Sequence, residues 1–461
     1  MTRRTRIAKL PVAGFAIALA IGACSGASFG DYGVGAAFPG GEGTVTNYGP
    51  GAFSQPAANL DAEHVARFRI GDAFFTEAWV PAGDSGDERD GLGPTYLASS
   101  CAACHPADGR SDAPATPGSA SRPILRFAGG DEMVPRLDAY GFQLQSAAIE
   151  GVPAEAQLQV SWRELPGAYP DGTPYSLRAP IIDVDGEQFG SLDGLVATGV
   201  RVGPALIGLG LLEAIPESAI RALADPDDRD GDGVSGRVHV VTTLGGEVAI
   251  GRFGHKANIA TIADQTAIAY LLDLGVTSPA LPDENCPVPQ AACAAAASGG
   301  SPEISASRFA DVVVYASTLA VPGRPSAGDG GVTEGEATFT EIGCAVCHVA
   351  RWETGEHPID ALANQTIYPY TDLLLHDMGS GLSDGRTDSL AGPSEWRTAP
   401  LWGLGLVRSV NANAGFLHDG RARTIEEAVL WHGGEGMASR DAFVALTAAD
   451  RQRVIQFLSS L

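Results

Sequence analysis

The chain has 461 residues, 44% of them hydrophobic and 18% charged, so it can bury a core and wholesale disorder is excluded. Its 30 Lys and Arg residues stand against 55 Asp and Glu residues, which gives a formal net charge of −25. This balance excludes a nucleic-acid partner, because phosphate binding needs positive charge. The 59 glycines and 30 prolines predict long irregular connections between elements.

The N-terminus predicts export. Four cations within the first nine residues precede an apolar stretch at 12–21, which is too short to span a bilayer. The stretch ends in Ile-Gly-Ala-Cys, similar to a bacterial lipoprotein cleavage box. Residues 1–23 are therefore the predicted signal peptide and Cys24 the lipidated residue, with an ordinary secretory cleavage nearby as the alternative. We expect a periplasmic protein held by lipid on a bacterial membrane, the outer one by preference. Residues 24–59, rich in Gly, Ala and Ser, are predicted to form a flexible tether.

A Cys-x-x-Cys-His pentapeptide then occurs twice, at 101–105 and 344–348. This pattern is the attachment motif of c-type haem, in which both thiols bond to the porphyrin and the histidine ligates the iron. A zinc site would need four convergent ligands, and a redox cysteine pair gives no reason for the histidine. We therefore predict two covalently bound haems c. Their predicted attachment and iron-ligating residues are Cys101, Cys104, His105, Cys344, Cys347 and His348.

Residues 60–320 are predicted to form an N-terminal haem domain. One of its insertions carries Asp228, Asp230 and Asp232 at alternate positions with glycine, as in a calcium-binding EF-hand loop. Position twelve of that loop is His239 rather than Glu, so the sequence supports a calcium site without supporting a full EF-hand. A solvated acidic turn is the alternative.

Cys286 and Cys293 flank a proline-rich loop in the same domain. An oxidising compartment favours paired thiols, so we predict a structural disulfide between them. A redox-active pair is disfavoured, since neither His nor Lys stands nearby in the sequence to lower a thiol pKa.

Residues 321–332 have the composition of a linker, and residues 333–461 are predicted to form a compact C-terminal domain. A helix at 334–342 leads into the second haem motif. Apolar residues at i, i+3, i+4 and i+7 near the chain end predict a closing amphipathic helix that starts after Thr447. The predicted fold is mainly α, with two cytochrome c-like haem domains, the first enlarged by long loop-rich and short-strand insertions.

The two haem motifs, together with Phe-Leu-His-Asp-Gly-Arg at 416–421, resemble the di-haem cytochrome c peroxidase/MauG superfamily. Within it, the chain is most similar to the di-haem oxidoreductase, or thiol oxidoreductase-like, branch. The resemblance implies a periplasmic peroxidase-like oxidoreductase. A small electron-donor protein, of cytochrome c or cupredoxin type, would deliver electrons through the C-terminal haem to peroxide or another small oxidant at the N-terminal haem. A non-enzymatic di-haem electron-transfer lipoprotein is the alternative, and thiol–disulfide exchange at Cys286 and Cys293 is a third hypothesis.

The resemblance also implies a distal ligand for the C-terminal haem. In the peroxidases this ligand stands fourteen positions after the histidine of the His-Asp-Gly segment, and counting from His418 gives His432. The second haem is therefore expected to be bis-histidine. Met378 is the rival ligand, and a solvent-facing His432 is the other alternative. His376 matches a family histidine that lies near this haem without ligating it.

On the distal side of the N-terminal haem, the resemblance implies a carboxylate that moves protons to and from peroxide. Alignment puts Asp273 near that position, and Glu213 is the second candidate; a surface carboxylate is the alternative for each. Where the family has a tryptophan between its haems, this chain has His255. Ligation of the first iron by either His255 or His64 would close that haem to peroxide.

Overall fold

The computed structural model describes residues 36–83, 88–119, 122–127, 137–192 and 198–461. The predicted signal peptide and its Cys24 lie outside these residues, as does the first part of the predicted tether. Within the described residues, no helix combines the length and the apolar character needed to cross a membrane.

The helices of the described residues are mostly short. In chain order they are α1 (Ala62–Thr76), α2 (Leu137–Tyr140), α3 (Leu209–Glu213), α4 (Glu217–Leu223), α5 (Ile262–Ala269), α6 (Ala291–Ala294), α7 (Ala306–Thr318), α8 (Gly330–Glu341), α9 (Val407–Val410), α10 (Ile425–Leu430), α11 (Met437–Ala445) and α12 (Ala448–Ser460). A π turn, Tyr270–Leu274, continues α5. Helix α12 begins as the sequence predicts, because the Thr447 hydroxyl accepts the Asp450 N–H at 3.2 Å.

The strands pair two by two, β1 with β2 in parallel and the others antiparallel: β3–β5, β4–β8, β6–β7, β9–β10, β11–β12 and β13–β14. In chain order they are β1 (Val80–Pro81), β2 (Asp90–Leu92), β3 (Thr95–Tyr96), β4 (Ile124–Phe127), β5 (Ala147–Ala148), β6 (Gln157–Ala168), β7 (Pro174–Asp185), β8 (Thr198–Arg201), β9 (Val240–Thr242), β10 (Val248–Ile250), β11 (Trp352–Glu353), β12 (Thr366–Ile367), β13 (Leu375–Asp377) and β14 (Glu395–Arg397).

The predicted mainly-α fold with two cytochrome c-like domains is wrong. Helices account for 31% of the described residues and strands for 17%, distributed over many small sheets. The largest departure is the hairpin β6–β7, in which twelve residues of each strand pair without a bulge. The haem motifs carry no information about this hairpin, and the sequence analysis predicts only short strands within the insertions of the first domain.

The part of the predicted tether that is described, residues 36–59, packs against the core. Ala52 and Phe53 are fully buried, and the Ala57 N–H donates to the carbonyl oxygen of Thr318 at 2.9 Å. The start of the predicted linker 321–332 is also packed, since residues 321–324 are all buried. A segment rich in small residues can be either mobile or closely packed, so composition alone does not distinguish the two states.

The four longest helices form two crossing pairs that repeat each other. Where α1 crosses α7, a Cβ on Gly71 would lie 2.3 Å from the Asp311 carbonyl oxygen. Where α8 crosses α12, a Cβ on Gly335 would lie 2.0 Å from the Arg453 carbonyl oxygen. Only glycine permits such close backbone approach at each crossing. One helix pair lies beside each Cys-x-x-Cys-His motif.

The hairpin β6–β7 connects the insertions of the first half to the C-terminal helices. At its tip, the Tyr169 hydroxyl donates to Glu426 at 2.7 Å, and Arg451 donates to Asp171 at 2.6 Å. The Arg451 guanidinium also lies 3.8 Å from the centre of the Tyr169 ring. The largest buried cluster likewise joins residues from both halves of the chain, among them Phe53, Leu211, Ile262, Trp352 and Trp402.

Candidate haem centres

Both Cys-x-x-Cys-His motifs form the same short turn. Cys101–Ala103 and Cys344–Val346 are single 3₁₀ turns, and the following histidine N–H donates to the first cysteine's carbonyl oxygen, at 2.9 Å for His105 and 3.0 Å for His348. All four motif cysteines are free thiols. Burial raises the pKa of the Cys104 thiol to about 12. Each turn thus presents two unpaired thiols and one histidine, the set that covalent haem attachment needs.

The three predicted iron-ligating histidines share one arrangement. In each, the Nδ1–H donates to a backbone carbonyl oxygen, at 2.8 Å for His105, 3.0 Å for His348 and 2.8 Å for His432. Burial lowers the pKa of all three rings, that of His348 to about 4. Each ring is therefore neutral and fixed in orientation, with the Nε2 lone pair left for a metal.

An aromatic pair backs each motif histidine in the same way. In both halves, a phenylalanine ring lies 6.1 Å from the histidine ring and 5.2 Å from a second aromatic ring on the crossing helix. The two sets are His105, Phe75 and Tyr315, and His348, Phe339 and Phe457. The two motifs therefore occupy equivalent positions against the repeated helix pairs.

Asp273 lies beside the first motif. Its carbonyl oxygen accepts the N–H groups of Leu97 and Ala98 at 2.8 and 3.1 Å, and its charge contributes to raising the pKa of both motif thiols. Its Oδ1 accepts from Gln143 Nε2 at 2.8 Å. Burial raises the pKa of Asp273, and the nearby Arg126 opposes that shift. The result is an enclosed carboxyl group, on a π turn, that holds its proton more tightly than a surface acid would.

Glu213 and His64 lie elsewhere. Glu213 accepts a backbone N–H at the start of α5 at 2.8 Å, and its other oxygen is 3.7 Å from His357 Nε2. His64 donates to Asp61 at 2.8 Å at the start of α1. It stands eleven residues, about 16 Å of helix, before Phe75, the ring that contacts the first motif. These contacts bring neither side chain to the first motif.

The side chains of His432 and Met378, the two candidates for the distal ligand of the second haem, both lie next to Gly436. A Cβ on Gly436 would be 3.2 Å from His432 Cδ2 and 3.1 Å from Met378 Cε. Burial is the main cause that lowers the pKa of His348, and His432 lowers it further. This effect requires the two imidazoles to lie near each other. The second motif therefore has a histidine partner close by.

His376 lies between two carboxylates next to the second motif. Its Nδ1 donates to Glu435 at 2.7 Å and its Nε2 to Asp372 at 2.8 Å, and Nδ1 is 3.8 Å from Cys347 Sγ. Burial alone would lower the pKa of His376, but these bonds raise it to about 12. The ring is an imidazolium with both nitrogens engaged, so neither nitrogen is free for a metal.

Comparison with known families bears on this pair of sites. A family model described as "Di-haem oxidoreductase, putative peroxidase" matches residues 34–132 and 145–461, nearly the whole chain. The chain belongs to the di-haem oxidoreductase family. No curated protein matches it. Haem is accordingly the cofactor of this di-haem oxidoreductase, and the donor set described above fits it at both turns.

Several cations and the His418 imidazole lie near His255. Burial lowers the pKa of His255 far below its usual range, and the nearby Arg201 and His418 lower it further. The His418 ring stacks on Trp396, with centroids 3.7 Å apart and an angle of 11° between the planes. The chain therefore has a tryptophan in the neighbourhood of His255, contributed by β14.

This stacked pair lies between the two haem centres. The His418 carbonyl oxygen accepts the N–H of Val202. The next residue is Gly203, where an added Cβ would lie 2.7 Å from the His105 ring. On the other side, Trp396 pairs with His376 across β13 and β14. The rings thus connect the surroundings of the first motif to those of the second.

The calcium and disulfide predictions fall on described loops. One carboxylate oxygen from each of Asp228, Asp230 and Asp232 lies within 4.8 Å of the other two, and the three residues are half-buried to exposed. Calcium binding at this acidic loop stays a prediction. Cys286 and Cys293 are joined in a disulfide with their Cα atoms 5.6 Å apart.

Sequence reasoning missed several residues of the haem centres. Gly-acid-Ala-x-Phe occurs at 71–75 and again at 335–339, and this repeat was the available signal for the paired helix crossings. Gln143 gave no signal, because it is 130 residues from Asp273. Arg110 and Arg397 gave none either; among the described residues their guanidinium groups donate only to backbone carbonyl oxygens.

Proposed function

We propose that this di-haem oxidoreductase reduces hydrogen peroxide at its first haem centre with electrons that enter through the second. The observation that carries the proposal is the difference between the side chains near each centre. A half-buried carboxyl group, Asp273, lies beside the first motif, whereas an imidazole, His432, lies near the second. An acid suits proton transfer to a small oxidant, and a second histidine suits an iron that only carries electrons.

At the first centre, Cys101, Cys104 and His105 would hold the haem. When bound, the haem iron supplies the place where peroxide is taken up and the electrons that reduce it. Asp273 would take a proton from one peroxide oxygen and return it to the other as water leaves. Gln143 fixes Asp273 Oδ1, while Oδ2 has no partner among the described residues and is free for this exchange.

At the second centre, Cys344 and Cys347 would attach the haem, and His348 and His432 would be the ligands of its iron. Their neutral rings, each with Nδ1 engaged, support this assignment. Two imidazole ligands leave no position open to peroxide. The second centre would then accept electrons from a donor protein and pass them on.

Two arginines, Arg110 and Arg397, would pair with the carboxylate groups of haem. Arg110 donates to the carbonyl oxygens of Gly415 and Leu417, and Arg397 to those of Gly254 and Thr398. Burial lowers the pKa of each guanidinium to about 10. An enclosed cation without a bonded carboxylate is stabilised by an anionic partner, and haem carries two such groups.

The proposal includes the periplasm and a lipid anchor at Cys24. The support for this location is the N-terminal sequence, in which basic residues are followed by an apolar stretch and then by Ile-Gly-Ala-Cys. A net charge of −25 further favours a small donor protein of cytochrome c or cupredoxin type with a basic contact surface. Replacement of Cys24 by alanine should release the protein from membranes, and mass spectrometry of the wild type should find lipid on that cysteine.

Peroxide turnover tests the activity. The holoprotein, produced in cells that mature c-type cytochromes, is supplied with a reduced small cytochrome c and hydrogen peroxide. We expect cytochrome oxidation that consumes two electrons per peroxide. Cys101→Ser/Cys104→Ser should abolish it and halve the covalently bound haem, while Cys286→Ser should leave the electron stoichiometry unchanged. Two covalent haems without turnover would instead support the electron-transfer lipoprotein, and oxidation of an added dithiol by the wild type that Cys286→Ser abolishes would support thiol–disulfide exchange.

A further inference from the structure

Asp273 is one end of a buried polar network that extends away from the first haem centre. Gln143 Nε2 donates both to Asp273 Oδ1 and to the Leu272 carbonyl oxygen, each at 2.8 Å. Gln145 Nε2 donates to the same carbonyl oxygen at 2.9 Å. Alternate residues of an extended segment share a face, which is why both amides reach the turn that carries Asp273.

Glu155 continues the network. Its Oε2 accepts the Gln145 backbone N–H at 2.7 Å, and its Oε1 accepts from Gln290 Nε2 at 2.5 Å. The side chain has no exposed surface, and its bonded partners are uncharged. Burial raises the pKa of Glu155 to about 7, so near neutral pH the carboxyl group exchanges readily between its two protonation states.

Three carboxamide oxygens in this network have no hydrogen-bond donor among the described residues. They are the Oε1 atoms of Gln143, Gln145 and Gln290, and each of these residues is only 1% exposed. A buried polar atom without a partner costs about 1–3 kcal/mol, so native proteins usually satisfy such atoms, with ordered water where the chain supplies no donor. Water can donate to each of these oxygens.

The far end of the network lies just under the surface. Gln290 belongs to the loop that the Cys286–Cys293 disulfide closes. Two residues before it, Val288 is 95% exposed. The network therefore runs from a surface loop, through Glu155, to the carboxyl group beside the first motif.

We propose that Glu155, with internal water held by Gln143, Gln145 and Gln290, relays protons from the disulfide loop to Asp273. The relay rests on the proposed function, since each peroxide takes up two protons and two electrons and yields two waters. The donor protein supplies the electrons and solvent supplies the protons. Glu155 releases its proton through water towards Asp273, becomes a carboxylate, and is reprotonated from the surface side. The disulfide holds Gln290 against Glu155.

Rates of peroxide reduction test the relay. The reduced holoprotein is mixed with hydrogen peroxide in a stopped-flow instrument, in H₂O and in D₂O. We expect Glu155→Gln to slow the reaction by about tenfold or more and to increase the solvent isotope effect, because proton delivery becomes limiting. Glu155→Asp, which keeps an acid, should recover part of the rate. The exposed Glu150→Gln should stay within about twofold of wild type and serves as the matched control.

Infrared spectroscopy gives a readout that does not depend on turnover. The wild type should show a protonated carboxylic acid band that titrates near pH 7 and is missing in Glu155→Gln. If Glu155→Gln does not fold, Glu155→Asp and Gln290→Leu carry the test, and Gln290→Leu should also slow the reaction.

Wild-type rates and isotope effects in a folded Glu155→Gln or Gln290→Leu protein would overturn the relay alone. No reaction with peroxide in the wild type would overturn the proposed function together with it. The two failures are therefore distinguishable.

Discussion

The two candidate haem centres are alike in their attachment motifs and differ in the side chains that lie near those motifs. In both, a 3₁₀ turn presents two thiols, and a phenylalanine ring lies 6.1 Å from a histidine whose Nδ1 is bonded to a backbone carbonyl oxygen. Beside the first, however, lies Asp273 with its glutamine partner, whereas near the second lies His432. The same arrangement of turn, histidine and phenylalanine therefore occurs at two centres that have different neighbouring side chains.

Under the proposed function, this contrast means that the attachment motif alone does not determine reactivity. The motif fixes the haem and its first histidine, while a distant segment supplies the group on the other side. Asp273 comes from the π turn after α5, and His432 follows α10. The proposed difference in reactivity would therefore depend on the long-range packing of these two segments, which differ although the helix pairs repeat each other.

The largest expected effect is on the acid of the first centre. Asp273→Asn should lower the rate of peroxide reduction by about 10²–10⁴-fold, because the amide cannot take and return a proton. The haem content and the spectrum of the second centre should not change. The exposed Asp183→Asn is the control, and Glu213→Gln should retain activity because Glu213 contacts α5 instead. Full activity of the Asp273→Asn protein would contradict the role of Asp273 as the acid of the first centre.

The next effect concerns the ligand of the second centre. His432→Met should raise the reduction potential of one haem, since a thioether favours ferrous iron more than an imidazole does. Spectroelectrochemistry would measure it as a shift of one of two waves. Met378→Leu is the matched control and should shift neither wave. A shift in Met378→Leu, with none in His432→Met, would make Met378 the ligand.

A smaller effect concerns stability and pH. The pKa of Glu155 rises from an ordinary value of 4.5 to about 7 on burial. The folded protein then holds a proton that the unfolded chain loses, so this contribution is complete below pH 4.5 and disappears as the pH rises through 7. Between those limits the wild type should lose up to about 3 kcal/mol of stability relative to Glu155→Gln. Denaturant unfolding of both proteins at several pH values measures the difference, and parallel curves would contradict it.

The smallest expected effect is that of calcium. Saturating Ca²⁺ should raise the melting temperature of the wild type by about 2 °C, because a ligand that binds the folded state stabilises it. Asp230→Asn should remove the shift, whereas Asp183→Asn should keep it. Equal melting temperatures with Ca²⁺ and with a chelator would identify the loop as a solvated acidic turn.

The sequence predicted local features better than distant ones. Each haem motif and the start of α12 at Thr447 are complete within a few residues, so the pattern alone reveals them. The hairpin β6–β7 appeared only as two short runs, because pairing across a turn is not a local property. The fold class failed for that reason. Composition also did not indicate that Ala52 and Phe53, within the predicted tether, would be buried, because small residues serve both mobile and packed segments.

The candidate acid shows the same limit. Counting along the family pattern reaches Asp273, but nothing in the sequence indicates that Gln143 would bond to it. Nor does it separate Asp273 from Glu213, since both are single carboxylates in apolar surroundings. Only the packing shows that one lies beside the thiols and the other at the start of α5.

The most direct test of the account is electron paramagnetic resonance of the resting ferric holoprotein, with haem content measured on the same sample. The account predicts two covalent haems per chain, one low-spin with two histidine ligands and one able to bind a small added ligand such as azide or cyanide, in the oxidised or half-reduced state. Two low-spin haems that no added ligand perturbs in either state would contradict it.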